Sequence, residues 1–279
     1  MATLNELEQL RWQLRQDCVD IIVAGGGGHI GGDMSVMDIL IDLYGRQMNV
    51  DPNKMDDPDR DRFVLSKGHA MEAYYAVLCH FGFLDLDDVK ARFNKFASPY
   101  IGHPNNKLLG IEMNSGSLGH GLPVGVGMAL AAKMDGRDYR TYVVMGDGEL
   151  AEGSIWEAAM AAPTYGLDNL VAVVDRNRLQ ISGCTEDVMR QDSQVARWEA
   201  FGWHALSVEG NSIASLDAAF EEAKTVKGKP TVIIANTVKG CGSPVMENKA
   251  DWHHHTPNAE EYAQITADLA AHAKEARYA

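Results

Sequence analysis

The segments TYVVMGDG (141–148) and LVAVVDRN (170–177) decide how this chain folds. Each opens with a short, almost unbroken apolar run, the pattern of a strand buried on both faces, and each closes on glycine, acid or amide. We read strands at Thr141–Met145 and Leu170–Val174. Two further runs, Trp203–Val208 and Thr231–Asn236, repeat the pattern, and a shorter one covers Phe63–Leu65. Helical spacing fills the gaps near 152–162, 193–201 and 213–226. This alternation predicts an α/β fold: a doubly wound parallel sheet of about five strands with helices on both faces.

Toward the N-terminus, Leu7, Leu10, Leu14, Cys18 and Ile21 predict a helix over 4–23, which the glycine run Gly25–Gly28 ends. A second helix is expected from Asp33, read as its N-cap, to Met48. A loop over 51–61 and a helix over 70–81 follow. Residues 94–117 mix Pro, Asn, Gly and Ser without a period and predict a long loop, which is uncommon unless it lines a site. A Gly- and Ala-rich helix is expected over 118–134, a loop crossing back over the sheet at 237–257, and a polar helix over 258–276. No internal repeat is visible, so one domain over 1–279 is expected, with a C-terminal tail from about 258.

The chain is 46% hydrophobic and 23% charged, as in ordinary folded proteins. Acids outnumber bases 39 to 25 for a net charge of −14, which speaks against nucleic acid as a partner. An anionic small molecule would need local positive groups. No apolar run is long enough to span a membrane. The start, MATLNELEQLRWQLRQ, lacks the pattern of a secretory signal. Cys18, Cys79, Cys184 and Cys241 show no Cys-x-x-Cys spacing and read as reduced thiols, pointing to a cytoplasmic protein.

In such a sheet, ligands bind beyond the carboxyl ends of the strands. Gly146 and Gly148 let the backbone approach a phosphate, and the turn that follows offers free N–H groups. Asp147 is then a hard oxygen ligand beside a diphosphate. Asn177 ends the next strand, one strand–helix–strand unit later, so the two side chains emerge together and can share one Mg²⁺. Read alone, the tripeptide is equally a tight turn between strand and helix.

GDG followed by Asn about 28 residues on is similar to the thiamine-diphosphate motif. The surrounding residues resemble the transketolase family: GHIGG (28–32), DRDRFVLSKGHA (59–70), GHP (102–104), GSLGHG (116–121), GDGELAEG (146–153), DRNRLQISG (175–183), FGWH (201–204) and TVKGCGSP (237–244). The resemblance covers nearly the whole chain but only the diphosphate-binding part of a full-length transketolase. It therefore implies the first subunit of a split enzyme, joined as α₂β₂ to a partner carrying the pyrimidine-binding and third domains. The implied reaction transfers a two-carbon ketol unit between sugar phosphates. The implied cofactors are thiamine diphosphate and Mg²⁺, or another divalent cation such as Ca²⁺ or Mn²⁺.

Residue by residue, the resemblance assigns the metal to Asp147, Asn177 and the Leu179 carbonyl. Gly116, Leu118, Gly146 and Gly148 would touch the cofactor, and Glu152 would lie near the contact joining two active sites. His29 and His103 would contact the donor sugar, His69 would sit between cofactor and substrate, and His253 would return over the diphosphate. The chemistry suits imidazoles, which titrate near neutral pH and can accept and return a hydroxyl proton. In isolation each is equally a loop histidine. His254 and His255 compete with His253 for its role, whereas His80 and His204 read as structural. Ile30, His120 and Cys241 depart from the family pattern, where proline, glutamine, and phenylalanine or lysine are usual.

Other readings exist. Gly26-x-Gly28-x-x-Gly31 formally satisfies a nicotinamide-binding fingerprint if residues 20–24 form a strand. The α subunit of a 2-oxo acid dehydrogenase shares the GDG…N signature but does not need the KGHA and GHP histidines. Deoxyxylulose-phosphate synthase, normally one long chain, and an inactive regulatory subunit complete the set.

Overall fold

The structure, a computed structural model, describes residues 2–276. Five strands pair in parallel in the order β1 (Arg62–Leu65), β2 (Thr141–Gly146), β3 (Leu170–Arg176), β7 (Thr231–Asn236) and β6 (His204–Glu209). Their side chains alternate between two cores, as the pleat requires. Phe63, Tyr142, Val144, Val171, Val173 and Ile233 face one core, with α1 (Leu4–Gly25), α2 (Ile30–Asp42), α3 (Met71–His80) and α9 (Ile213–Thr225). Val64, Val143, Met145, Ala172, Val174 and Ile234 face the other, with α5 (Gly121–Met134), α6 (Gly153–Thr164) and α8 (Gln194–Ala200). The sheet is doubly wound, as expected. Among the described residues, no helix is long and apolar enough to cross a membrane.

Three local readings change. The second helix begins at Ile30, not Asp33. The Gly32 and Asp33 amides already reach back to the His29 carbonyl at 2.9 and 3.1 Å, making His29 the N-cap position. Asp33 sits within the first turn, fully buried, and accepts from the Ala73 amide at 2.9 Å instead of capping its own helix. The same helix ends at Asp42 and passes into a wider π-helical turn, Leu43–Gln47. Finally, residues 20–24 belong to α1, so the Gly26–Gly31 run follows a helix; the nicotinamide fingerprint lacks the strand it depends on.

Smaller elements carried no periodic signal. Helix α4 (Leu86–Arg92) buries only Val89 and is set by its N-cap, Asp85, which accepts from the Asp88 amide at 2.7 Å. A hairpin of β4 (Leu179–Gln180) and β5 (Gly183–Cys184), then α7 (Thr185–Val188), fills the stretch after β3. Helix α10 (Ala259–Glu275) lays Ile265 and Leu269 into the α1 side of the core.

Helix α5 lies close on the sheet because its facing positions are glycine. A Cβ at Gly125 would stand 2.4 Å from Cγ2 of Val143, a β-branched side chain fixed in a central strand, whereas one at Gly127 would meet nothing within 4 Å. Both sites are helical, so alanine gains about 1 kcal/mol of propensity at either. At Gly125 overpacking costs about 1–3 kcal/mol and wins. Gly125→Ala should therefore lower, and Gly127→Ala raise, the midpoint of urea unfolding of this chain.

Candidate active site

Strands β2 and β3 end side by side, with Gly146 opposite Asp175. The Asp147 amide donates to the Asp175 carbonyl at 3.3 Å, and a 3₁₀ turn, Gly148–Ala151, follows. Asp147 Oδ1 accepts from the Gly148 amide at 3.0 Å, and Oδ2 from the Arg178 amide at 2.7 Å. Arg178 has φ 65°, the left-handed turn that brings its amide round to the carboxylate. Asn177 donates to Ser35 Oγ at 3.2 Å while its Oδ1 accepts from the Leu179 amide at 3.1 Å. Asp147 is nearly buried; burial, then the neighbouring Asp175 charge, pushes its pKa up to about 6. A cation here would relieve that strain.

Behind this pair lies a second layer. Asp175 is wholly buried and ion-paired to Lys67 Nζ at 2.5 Å; it also accepts from Ser35 Oγ at 2.7 Å and from Thr237 Oγ1. Lys67 reaches the Gly32 carbonyl at 3.1 Å as well. A second buried lysine, Lys239, stands 3.2 Å from His253 Nδ1 and 3.5 Å from the Leu179 carbonyl. Burial, then the Lys67 charge, pushes Lys239 down to about 8.

The histidines converge from four segments. The His29 ring centroid lies 5.4 Å from that of His69, 5.9 Å from His103, 5.7 Å from His253 and 4.8 Å from His254. His69 and His253 are 5.3 Å apart. Burial first, then surrounding positive charge, pushes His29 down to about 3 and His253 to about 4, and holds His69 well below the ordinary value. Burial lowers His103 too. These rings are neutral at neutral pH, each with one unprotonated nitrogen; that of His253 is its Nδ1, which accepts from Lys239. The close approach of His103 needs Gly116, whose φ is 137° and whose Cβ would stand 2.8 Å from the ring.

One cleft of about 310 Å³ is lined by His29, His69, His103, His253, Gly116, Leu118, Gly146, Asp147, Gly148, Asn177 and Leu179, every site residue expected from sequence. Of the consecutive histidines, His253 lines the cleft, while His255 bonds Glu261 at 2.9 Å and packs on Trp252. His204, on β6, pairs with Glu222 of α9, apart from the site. Glu152 is exposed at the start of α6. Sequence reasoning missed Lys67, Glu149, Gln180, Ile181 and Lys239 in the lining, and Asp175 beneath it. Both lysines lie inside quoted motifs and precede a glycine, a signal that went unused. A larger hollow of about 770 Å³ opens at the amino ends of the strands, but its Arg46 and Arg137 are already paired with Asp217 and Asp59.

The donor set fits a hard dication and a diphosphate: buried oxygen acceptors on one wall, two buried ammonium groups beside them. His29, which lines the same space, has its Nδ1 buried and without a hydrogen-bond partner. Lys67→Met should cost about 3–5 kcal/mol of stability, because Asp175 would stay buried without its cation. A chemical-denaturation midpoint unchanged from wild type would refute that role.

Residues 8–277 match the family described as transketolase, thiamine diphosphate binding domain. The chain is 49% identical over 255 residues to one subunit of the apulose-4-phosphate transketolase of Phocaeicola vulgatus, covering 91% of this chain and 90% of that protein. It is 40% identical over 245 residues to a 6-deoxy-6-sulfo-D-fructose transketolase subunit, SqwG, of a Clostridium species, covering 88% and 89%. The crystal structure of transketolase from Campylobacter jejuni superposes with a TM-score of 0.89 at 28% identity, over 99% of this chain but only 46% of that one. The chain belongs to the transketolase family and carries its thiamine diphosphate binding domain.

Proposed function

We propose that this chain, read as a single domain over 1–279, binds the diphosphate of thiamine diphosphate through Mg²⁺ and serves two-carbon ketol transfer from a ketose phosphate to an aldose phosphate. Family membership sets the reaction class, ketol transfer by a transferase. The observation that carries the finer reading is the convergence of Asp147, Asn177, Leu179 and four histidines on one cleft. Asp147, Asn177 Oδ1 and the Leu179 carbonyl would hold the metal. Gly116, Leu118, Gly146 and Gly148 would line the cofactor, with Lys239 balancing diphosphate charge. When bound, the thiazolium supplies the nucleophilic carbon and electron sink that carbon–carbon cleavage needs.

The chain's own residues do the rest. His29 and His103 orient the donor's oxygens. His69 and His253, nearer the diphosphate wall, complete the pocket. Being neutral, a ring can take a hydroxyl proton as the carbon–carbon bond breaks and return it to the acceptor. A charged ring could not accept it.

We read the missing half of the site as belonging to a second subunit, in an α₂β₂ assembly. Ile181 on the cleft rim is 73% exposed, and Val188 and Met189, further along the same excursion, are 43% and 57% exposed. Such a grouped apolar edge favours a seated partner. Glu152 would lie at that contact. An anionic sugar fits the names of the relatives, which specify apulose 4-phosphate in one case and 6-deoxy-6-sulfo-D-fructose, a sulfonate, in the other; the phosphate follows the first. Four free cysteines fit a cytoplasmic location.

The test is reconstitution. With Mg²⁺, thiamine diphosphate and a ketose–aldose pair, this chain alone should be inactive. Activity should appear on adding the partner subunit, with a matching rise in molecular mass. Robust turnover without the partner would overturn the reading.

In the assembled enzyme, Asp147→Asn should weaken Mg²⁺-dependent cofactor binding by at least about tenfold, since a charged ligand becomes neutral. His103→Ala should leave cofactor affinity unchanged and lower kcat/KM about 100-fold. Calorimetry and steady-state kinetics separate the two.

A further inference from the structure

Beneath the histidine cluster, two carboxyl groups meet where ordinary packing would place apolar side chains. Asp33 stands in the first turn of α2 and Glu72 in the first turn of α3, and both are fully buried. Asp33 Oδ1 accepts from the Ala73 amide at 2.9 Å. Asp33 Oδ2 and both Glu72 oxygens are buried without a hydrogen-bond partner. The remedy is a proton: the two side chains are within hydrogen-bonding reach, and one proton between Asp33 Oδ2 and a Glu72 oxygen satisfies two of these three atoms.

The position of Glu72 gives this pair a task. Its Oε1 would be 2.9 Å from a Cβ at Gly28 and 3.6 Å from one at Gly102. Gly28 and Gly102 immediately precede His29 and His103. The carboxyl is wedged between the two turns that present the donor-facing imidazoles. The positive ends of α2 and α3 both point here and favour one negative charge, while two would repel.

We propose that Asp33 and Glu72 share a proton and act as a positioning pair, locking the Gly28–His29 and Gly102–His103 turns in the geometry the donor sugar requires. This rests on the ketol-transfer reading above. Burial drives both carboxyls up, Glu72 the further, while the Ala73 amide and the lysines pull Asp33 back, so Asp33 ionises first and Glu72 keeps the shared proton. The groups facing the pair are Cys18 from α1, Tyr75 from α3, His29, and Lys67 and Lys239 from the turns after β1 and β7. The lysines favour ionisation of Asp33, and burial outweighs them.

The sign follows from raised folded values. Protonation favours the native state, so the stability it contributes is complete below about pH 4, where the unfolded carboxyls are also protonated, and is withdrawn progressively as pH rises from there through the raised folded values. Glu72→Gln, which keeps the shape and a donor that cannot be lost, should flatten that decline.

Three measurements test this. In the infrared difference between full-length wild type and Glu72→Gln at about pH 6, a carboxylic-acid carbonyl band should appear for wild type. The melting temperature of wild type should fall between about pH 6 and 9, and that of the variant should fall less. In the assembled enzyme, the wild-type donor KM should rise about tenfold over that range with cofactor affinity unchanged, while the Glu72→Gln KM stays level. Asp33→Asn is the second variant should Glu72→Gln fold poorly, with the same expectations. Superimposable pH profiles for wild type and both variants, or no carbonyl difference band, would overturn the pair. An assembly without ketol transfer would defeat the functional reading instead, and the carbonyl band and melting profile would still decide the pair.

Discussion

The Lys67–Asp175 ion pair is the constraint on which the rest of the site depends. It joins residues 108 positions apart, at the carboxyl ends of β1 and β3, inside the protein and away from water. A buried pair of this kind gains little over an apolar substitute, yet removing one partner is severe. Here the pair has a structural use that an apolar pair could not replace. Lys67 also holds the Gly32 carbonyl in the first turn of α2, and Asp175 takes hydroxyls from Ser35 and Thr237. Ser35 in turn receives Asn177. The start of α2, the ends of β1 and β3, and the exit from β7 are thereby fixed relative to one another. Asp147 hangs from the same node through its amide on the Asp175 carbonyl.

What was legible in the sequence follows the range of the interactions. Strand Thr231–Asn236 agrees to the residue, because an apolar run in a doubly covered sheet declares itself locally. Helix α4 and the β4–β5 hairpin bury too few side chains to leave a pattern. Asp33 looks like a cap because it is an acid at the start of a helix. Its partner, the Ala73 amide, lies 40 residues away, so the sequence carried no sign of it. All eleven expected site residues line one cleft, since each sits in a motif with a chemical reason. Lys67, Lys239 and Asp175 were missed because their meaning lies in pairing across the fold.

The electrostatics resolve an apparent conflict. A chain of net charge −14 is proposed above to face an anionic cofactor and anionic sugars. Its positive charge at the cleft is placed locally, on Lys239, which is about 1% exposed, while Lys67 is balanced by Asp175. Low local polarity makes the field of Lys239 on a diphosphate far stronger than that of a surface lysine would be. The same field acts on the imidazoles. Positive neighbours and burial together depress His29, His69 and His253, leaving them uncharged. Proton-accepting rings and a diphosphate-binding wall are thus two consequences of one arrangement.

That arrangement also explains why the site opens at an edge of the chain. The wall built here carries cations, oxygen ligands and imidazoles, all suited to the diphosphate and to sugar hydroxyls. An aromatic ring system would need apolar walls on both sides, and the cleft offers mainly Leu118 and the exposed Ile181. Burial already pushes Lys239 down to about 8, and an anion seated beside it would favour the charged form again. In the reading proposed above, the second, apolar wall comes from another surface, so the cation and the apolar wall do not compete for the same place.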